Sequence, residues 1–245
     1  MIAVTFALPA ESSEFLRRLH DKSHTDRDGV RAIRGKIEDR AIEVLHTGVG
    51  EKVCRQRLGK FLSARGRAGR IRGDEQDQQF DCLISAGFAG ALDNDLKIGD
   101  LLLAENFSTG RLSETHASLS GLHIQIANLL TVPALIDSPE ERNKLALTSG
   151  AVAADMETEF IARACAACGI PLLSLRVISD TPQHRLPAPA NVLFDIERQQ
   201  NRILKLATYL LAHPSRIPRL VHFARQIAHV RKTLATALVE VVRGL

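Results

Sequence analysis

The segment that most constrains the fold is a short apolar run, residues 172–178, which follows a helical pattern and ends on Ser179 and Asp180. A short apolar run bounded by turn signals predicts a buried strand. The preceding residues 155–168 predict a helix, which Gly169 is expected to end as a C′ glycine. A helix joined by a short turn to a buried strand is typical of α/β sheets, where ligands bind beyond the carboxyl ends of the strands. We therefore expect Asp180 to lie at a ligand-binding edge.

The same alternation of apolar runs and helical patterns extends along the chain. Apolar strand patterns occupy residues 2–7, 41–46, 80–85 and 101–105, with one or two short strands expected within 121–132. Ser138, followed by a proline and two glutamates, predicts a capped helix start. We predict that residues 1–195 form one α/β domain, a central mixed twisted sheet flanked by helices. Residues 196–245 are predicted to form an extra C-terminal helical extension packed on it.

Composition narrows the class of protein. Of the 245 residues, 45% are hydrophobic, which suffices for a sizeable core, and no apolar run reaches the roughly 18 residues that a membrane span needs. The N-terminus lacks the basic region of a signal peptide, and four cysteines do not make a disulfide framework in a chain this long, so we expect a cytoplasmic protein. The formal charge is +4, but only 4% of residues are aromatic, so nucleic acid is not expected as a partner.

The excess positive charge lies in the predicted extension. From Asp195 onwards the chain is predicted to be helical, with a break at His213 and Pro214, and it carries nine Lys or Arg against three acidic residues. Apolar residues recur at helical spacing between positions 220 and 234. We favour a helix pair that packs this apolar stripe on the body and leaves a solvated basic face. The alternatives are a surface for a partner subunit or for an anionic membrane.

Two further carboxylates fall beside predicted strands. Pro9 predicts a helix start after the first strand, which puts Glu11 near the third helical position. There a carboxylate either complements the helix N-terminus or serves as a catalytic base. Glu157 opens the helix that precedes the strand of Asp180. Because all three carboxylates fall at a strand end or a helix start, we predict that they converge on one cleft, within about 15 Å of one another, the reach of a nucleoside-sized pocket.

Several weaker signals leave alternatives open. The glycine turn at residues 47–50 either approaches a ligand with its N–H groups or only permits a tight turn. Residues 86–92 are mostly small and predict another turn. Arg176, inside an apolar strand, is either a cation near the site or a partner in a structural ion pair. Cys165 and Cys168 are expected to be small buried helix residues rather than a redox or metal site.

Four short motifs occur in one order along the chain: Ala7-Leu-Pro-Ala-Glu11, Ser85-Ala-Gly-Phe-Ala-Gly-Ala-Leu92, Asp155-Met156-Glu157 and Ile178-Ser179-Asp180. In this order and spacing they resemble the nucleoside phosphorylase superfamily, of which the closest branch is the 5′-methylthioadenosine/S-adenosylhomocysteine nucleosidases. The resemblance covers about residues 1 to 185. It implies the mixed α/β fold of that superfamily, an enzyme without metal or organic cofactor, and a homodimer or higher oligomer that binds a small-molecule nucleoside.

The resemblance also implies roles for individual residues. Asp180 would be the acid that protonates the leaving purine at N7, Glu11 would take a proton from the attacking water, and Glu157 would bind the ribose hydroxyls. The other substrate-binding positions are Met156 against the sugar, Ala89 and Gly90 beside the ribose, Ser179, and Phe88, a candidate for stacking on the purine. Cleavage of an N-glycosidic bond builds positive charge on the ribosyl ring, which carboxylates stabilise, while the purine needs an acid and the water needs a base.

The predicted reaction is hydrolysis of a 5′-substituted adenosine to adenine and the ribose derivative. Phosphorylases of the superfamily carry an arginine in the loop after the first strand, whereas this chain has Glu11 there, which would repel phosphate and suits the activation of water. The alternatives are a phosphorylase, including one that acts on an adenosyl-lipid of the hopanoid type, and a non-catalytic nucleoside-binding module. That last alternative is suggested by Phe88, which stands where the family usually has Ser or Thr, and by a segment before residues 155–157 that is shorter than in the nucleosidases.

Overall fold

The computed structural model describes residues 1–27, 29–68, 80–109, 123–184, 194–195, 200–201 and 213–245. Within these residues, ten strands form one mixed sheet and two more form a separate pair. The strands are β1 (Ile2–Phe6), β2 (His20–Arg27), β3 (Val30–Ile37), β4 (Arg40–His46), β5 (Cys82–Ala91), β6 (Leu101–Ala104), β7 (Ile124–Ala127), β8 (Leu129–Thr131), β9 (Ala153–Asp155), β10 (Leu172–Asp180), β11 (Phe194–Asp195) and β12 (Gln200–Asn201). The α-helices of the same residues are α1 (Pro9–Arg18), α2 (Glu51–Ala68), α3 (Pro139–Ser149), α4 (Thr158–Cys168) and α5 (Ile217–Gly244). A mixed sheet with flanking helices and a C-terminal helix is the predicted fold class.

The strand order places four carboxyl ends at one edge. Across the sheet the order is β2-β3-β4-β1-β5-β10-β6-β7. Strand β1 pairs in parallel with β4 and β5, and β5 pairs in parallel with β10, whereas β6 runs antiparallel to β10. The carboxyl ends of β4, β1, β5 and β10 therefore lie at the same edge, which is the edge where ligands bind in open α/β sheets.

Alternate side chains of the central strands face two different helix layers. In β1, Val4 packs in the cluster that contains Phe15 of α1 and Leu234 of α5. Its neighbour Ala3 packs instead in the cluster that contains Leu58 of α2. Successive residues in a strand point to opposite faces, so both faces of the sheet are covered by helices. This explains why the central strands read as nearly continuous apolar runs.

The last helix, α5, packs on the body of the protein mainly through its second half. Val230, Leu234 and Leu238 are fully buried, and each such side chain contributes about 1.5–3 kcal/mol by leaving water. In the first turns, Ile217 and Val221 are both 45% exposed, so the apolar stripe is buried towards its end and open at its start. None of the helices in the described part of the chain is long and apolar enough to cross a membrane.

The helix predicted from Asp195 onwards is wrong at its start. Phe194–Asp195 pairs in antiparallel fashion with Gln200–Asn201, so these residues form two short strands. Residues 196–199 and 202–212 lie outside those described. Beyond the predicted break, a short 3₁₀ turn at Pro214–Arg216 leads into α5, as the proline there suggests.

The turn predicted at residues 86–92 is also wrong, because β5 continues through it to Ala91. Small residues often signal a turn, but here Ala86, Ala89 and Ala91 are buried within the strand. Glycine in a strand often marks a place where another group comes close to the backbone. In β5 the groups that come close are two carboxylates, described below.

The predicted helix at residues 155–168 begins later than expected. Asp155 ends β9, and α4 starts at Thr158 with Glu157 as its N-cap. The Thr158 N–H donates to both oxygens of the Asp155 carboxylate, at 3.3 and 3.2 Å, so a strand residue satisfies one of the free N–H groups of the helix. Gly169 ends the helix in the left-handed conformation with φ 65°, as predicted.

Candidate active site

A cavity lies at the carboxyl edge of the parallel strands. Its lining comes from β1 and the turn after it, α1, the end of β4, β5, the start of α4 and β10: Thr5, Phe6, Ala7, Glu11, Thr47, Ser85, Ala86, Gly87, Phe88, Glu157, Ile161 and Arg176. Two of the three predicted carboxylates, Glu11 and Glu157, therefore face one cavity although they are far apart in the sequence. Phe88 lines the same cavity.

Glu11 occupies the third position of α1, as the proline before it predicts. Its Oε2 accepts a hydrogen bond from the Leu8 N–H at 3.0 Å. The carboxylate lies over β5, where a Cβ on Gly87 would stand 3.7 Å from both of its oxygens. Burial raises the pKa of Glu11 above its ordinary value, and the Leu8 N–H and the charge of Arg176 oppose that rise. A carboxylate with a raised pKa is a better proton acceptor than an exposed one.

Glu157 is held by the glycine turn that the sequence singles out. Its Oε1 accepts a hydrogen bond from the Gly50 N–H at 2.9 Å. Gly50 has a φ of 83°, which glycine adopts without strain, so the turn directs its N–H to a protein carboxylate. Burial, and next the charge of Asp155, raise the pKa of Glu157 to about 8. At neutral pH this carboxyl group is therefore largely protonated, and it can donate as well as accept a hydrogen bond.

Arg176 is a cation in the cavity wall, and its side chain is only 3% exposed. Its Nε and Nη2 donate to Asp155 Oδ2 at 3.1 and 3.0 Å, and it also donates to the Ser85 carbonyl and hydroxyl at 2.7 and 2.8 Å. Of the two alternatives that the sequence left open, the structural ion pair is therefore observed, and it lies within the cavity lining. The charge of Arg176 lowers the pKa values of both Glu11 and Glu157, so it offsets part of the effect of burial.

Asp180 ends β10, as predicted, and is 8% exposed. Its Oδ1 accepts a hydrogen bond from Ser179 Oγ at 2.8 Å, and its Oδ2 is paired with the guanidinium of Arg142. Asp180 is not among the residues that line the cavity with Glu11 and Glu157. Both oxygens of its carboxylate are therefore already bonded to protein groups.

Two glycines of β5 each lie next to one of the carboxylates. Gly87 lies under the Glu11 carboxylate, while a Cβ on Gly90 would stand 3.0 Å from Asp180 Oδ2. Three residues of extended strand separate these glycines, a distance of about 10 Å. That spacing is within the predicted reach of one nucleoside, and the convergence of the carboxylates on a single ligand stays a prediction.

Arg142, in the first turn of α3, is a site residue that the sequence does not reveal. Its side chain is 8% exposed. Besides Asp180, it reaches two backbone carbonyls: Nε and Nη2 donate to Ile136 at 3.1 and 2.8 Å, and Nη1 donates to Ala91 at 2.8 Å. The surrounding sequence, residues 139–144, is rich in charge and has the pattern of a solvated first turn. No local signal identifies Arg142, because only the fold brings Asp180 and the end of β5 to it.

The remaining predicted binding residues lie in different surroundings. Phe88 lines the cavity and packs against the core, and Ala89 is 3% exposed in the same strand. Met156 is 7% exposed and belongs to an apolar cluster that includes Leu92. Ser179 Oγ bonds the carboxylate of its neighbour, as described above. A nucleoside contact at each of these positions stays a prediction.

The sequence does not favour a metal site or a reactive thiol. No group of three His, Cys, Asp or Glu side chains suited to a metal ion occurs among the residues that the structure describes. Both members of the C-x-x-C pair are free thiols. Cys165 is buried as predicted, whereas the prediction is wrong for Cys168, which is exposed at the end of α4.

Comparison with known proteins shows which family the chain resembles. Residues 111–212 match the family model described as the phosphorylase superfamily. Over 209 residues the chain is 21% identical to the 5′-methylthioadenosine/S-adenosylhomocysteine nucleosidase of Staphylococcus aureus (strain JH9), with 74% of this chain and 86% of that protein covered. The family match covers less than half of the chain, so these comparisons show that the chain is similar to members of the phosphorylase superfamily. This similarity agrees with the superfamily predicted from the four motifs.

Solved structures show the same fold over the whole length of the chain. Futalosine hydrolase of Helicobacter pylori strain 26695 superposes with a TM-score of 0.71 at 17% identity, covering 100% of this chain and 97% of that one. The 5′-methylthioadenosine/S-adenosylhomocysteine nucleosidase of S. pneumoniae, solved with a transition-state inhibitor, gives 0.69 at 15% identity, with 99% and 98% covered. At this identity the likeness establishes the fold alone.

Proposed function

We propose that the protein is a purine nucleosidase, which hydrolyses the N-glycosidic bond of a 5′-substituted adenosine to adenine and the ribose derivative. The observation that carries this proposal is the pair of buried carboxylates, Glu11 and Glu157, in one cavity at the ligand-binding edge of the sheet. Burying two carboxylates costs free energy unless they bind or react with something. A ribose ring offers hydroxyl groups that can hydrogen-bond one of these side chains and a developing positive charge that the other can stabilise.

In this proposal the cavity binds the ribose and activates the water. Glu157, which the Gly50 N–H holds in place, accepts and donates hydrogen bonds to the ribose hydroxyls. Glu11, whose pKa burial raises, takes a proton from the attacking water. As the bond to the purine lengthens, positive charge builds on the ribosyl ring, and the nearby carboxylate of Glu11 stabilises it electrostatically. Phe88, in the same wall, provides an apolar surface for the ligand.

The leaving purine needs a proton, and Asp180 is the proposed acid. The purine leaves as a poor anion unless its N7 is protonated while the bond breaks. Asp180 stands beside Gly90 on the same edge as the cavity, about 10 Å along β5 from Gly87. In this proposal the sugar occupies the cavity and the base extends from it towards Asp180.

Hydrolysis is proposed over phosphorolysis because of the charges in the cavity. Among the described lining residues, Arg176 is the cation, and its donors are already engaged by Asp155 and Ser85. A phosphate ion would instead meet Glu11 and Glu157, and phosphate capture needs free cationic or N–H donors. The relatives named above are a nucleosidase and a hydrolase, which agrees with this choice.

The experiment is product analysis with purified protein. 5′-Methylthioadenosine, S-adenosylhomocysteine and inosine are incubated separately, with and without phosphate, and free base, reducing sugar and sugar phosphate are measured. We expect adenine and reducing sugar from the first two substrates at a rate that phosphate does not change. Sugar 1-phosphate formed only with phosphate would show a phosphorylase, and absence of turnover with tight binding would show a non-catalytic module.

The proposal extends to cellular context. Relatives that act on 5′-methylthioadenosine and S-adenosylhomocysteine, by their names, support a role in methionine salvage. We propose that the protein works in the cytoplasm as a homodimer, as the superfamily resemblance implies. Light scattering of the purified protein measures the assembly state, and a monomeric mass would contradict that part.

A further inference from the structure

Arg142 and Asp180 form an ion pair in which both side chains are largely buried. The Arg142 side chain is 8% exposed, and the Asp180 side chain is 11% exposed. A buried guanidinium costs several kcal/mol in lost hydration unless its donors are satisfied. Here they are satisfied by Asp180 and by the carbonyls of Ile136 and Ala91. These carbonyls belong to the segment before α3 and to the end of β5, so the arginine is fixed from two sides.

The two oxygens of Asp180 are therefore not equivalent. Oδ2 is bound by the fixed guanidinium of Arg142, whereas Oδ1 accepts only the hydroxyl of Ser179 at 2.8 Å among its described contacts. A serine hydroxyl rotates freely and can turn from donor to acceptor, while a guanidinium is a donor only. A proton on the carboxyl group is thus compatible with Oδ1 and incompatible with Oδ2.

We propose that Arg142 is a positioning residue for Asp180: it clamps Oδ2, so that Oδ1 is the oxygen that carries the proton and delivers it to the purine. This inference rests on the proposed nucleosidase function. The proton passes from Oδ1 to N7 as the bond between C1′ and N9 breaks and its electron pair moves into the purine. The carboxylate left on Asp180 is stabilised by Arg142, and solvent returns a proton to it after adenine leaves.

The glycine at position 90 of β5 leaves space for this pair. A Cβ on Gly90 would stand 3.0 Å from Asp180 Oδ2 and 3.2 Å from Arg142 Nη1, so both partners pack directly against the strand. No charged side chain comes from β5 here, because the neighbours in the strand are Ala89 and Ala91. Within the described residues, Arg142 supplies the charge within salt-bridge distance of Asp180, and His184 follows in the next turn with its Nδ1 at Thr181 Oγ1.

The test compares Arg142→Met and Arg142→Lys with wild type, using 5′-methylthioadenosine and measuring kcat and KM separately. For Arg142→Met we expect kcat to fall about 10- to 100-fold, part of what a general acid supplies, with KM changed less than about threefold. Lysine keeps the charge but loses the forked geometry of the guanidinium, so kcat of Arg142→Lys should fall less than that of Arg142→Met.

A merely structural role predicts a different pattern. Lower thermal stability and a loss of active enzyme in both variants, with kcat per folded molecule unchanged, would overturn the proposal. If Arg142→Met does not fold, Arg142→Lys is the deciding variant. A kcat equal to that of the wild type in Arg142→Lys would contradict the proposal that the forked guanidinium holds Asp180 Oδ2. A double-mutant cycle with Asp180→Asn adds a second criterion, since losses that simply add would contradict a shared step. Absence of adenine release by the wild type would overturn the proposed function itself and this inference with it.

Discussion

Gly90 and Asp180 lie so close together that a side chain at position 90 would press against the Asp180 carboxylate. A Cβ there would stand 3.0 Å from Asp180 Oδ2, and 3.2 Å from Arg142 Nη1. The side chains of Asp180 and Arg142 therefore pack directly against the backbone of Gly90. The glycine is explained by this close approach and not by a turn.

Gly90→Ala is expected to lower kcat about 10- to 100-fold while the protein still folds. The methyl group displaces the carboxylate by a fraction of an ångström, and misplacement of a catalytic group by about 1 Å can cost about 100-fold. Gly59→Ala is the matched control, because a Cβ at this position in α2 meets nothing within 4 Å. The control should keep full activity and gain about 0.5–1 kcal/mol of stability. Equal activity of the two variants would contradict the role given to Asp180.

Asp180→Asn is expected to reduce turnover of 5′-methylthioadenosine by about 10²–10⁴-fold with little change in nucleoside affinity. Asparagine keeps the shape and still hydrogen-bonds a base, but it cannot deliver a proton. A riboside of 4-nitrophenol, whose leaving group is a stable anion, should be affected far less. Steady-state kinetics and isothermal titration measure both effects. A variant that retains more than about a tenth of the wild-type rate on the adenosine would show that this carboxylate is not the acid.

Glu157→Gln is expected to stabilise the fold at alkaline pH. The pKa of Glu157 is about 8 in the folded protein against an ordinary 4.5. The folded state therefore binds the proton more tightly, so this contribution to stability is complete below pH 4.5 and is lost as the pH rises through 8. Glutamine does not ionise, so Glu157→Gln should avoid this loss in the free energy of unfolding, which is on the order of a few kcal/mol.

Urea unfolding below pH 4.5 and above pH 8 measures this difference. Glu159→Gln, two residues further along and on the surface side of α4, is the control and should show no such pH-dependent gain. A wild type that is as stable as Glu157→Gln above pH 8 would contradict the burial of an ionising carboxyl group. The same substitution should lower turnover if Glu157 binds the ribose.

His46 is expected to make the fold sensitive to acid. Burial, and then the charge of Arg57, lower its pKa from 6.5 to about 4, and its Nε2 bonds Ser12 Oγ at 2.7 Å. The folded state binds the proton less tightly than the unfolded one, so stability is complete above pH 6.5 and is lost as the pH falls through 4. His46→Gln should reduce this loss by on the order of 3 kcal/mol. Equal acid sensitivity of the wild type and His46→Gln in thermal melts would contradict this prediction.

The sequence predicts the parts of the site that local rules control. Pro9 fixes where α1 begins, so the third helical position of Glu11 follows from the residue before it. Gly169 marks the end of α4, and the apolar run after it predicts β10 with Asp180 at its end. These features depend on neighbours within a few residues, which is why the sequence alone is enough.

The rest depends on contacts between distant segments. The small residues of β5 have the local pattern of a turn, and only the carboxylates that lie over Gly87 and Gly90 explain why a strand needs them. Arg142 looks like a solvated residue in a charged helical turn, and the fold buries it against Asp180. Partners so far apart along the chain leave no local pattern, so tertiary structure alone reveals them.

The most direct test of the account is the rate of adenine release from 5′-methylthioadenosine in phosphate-free buffer. We expect steady turnover by the wild type with reducing sugar formed in equal amount, unchanged when phosphate is added, and strongly reduced in Asp180→Asn and Glu11→Gln. No adenine in phosphate-free buffer, or a wild-type rate from both carboxylate variants, would contradict the claim that these buried carboxylates hydrolyse a purine nucleoside.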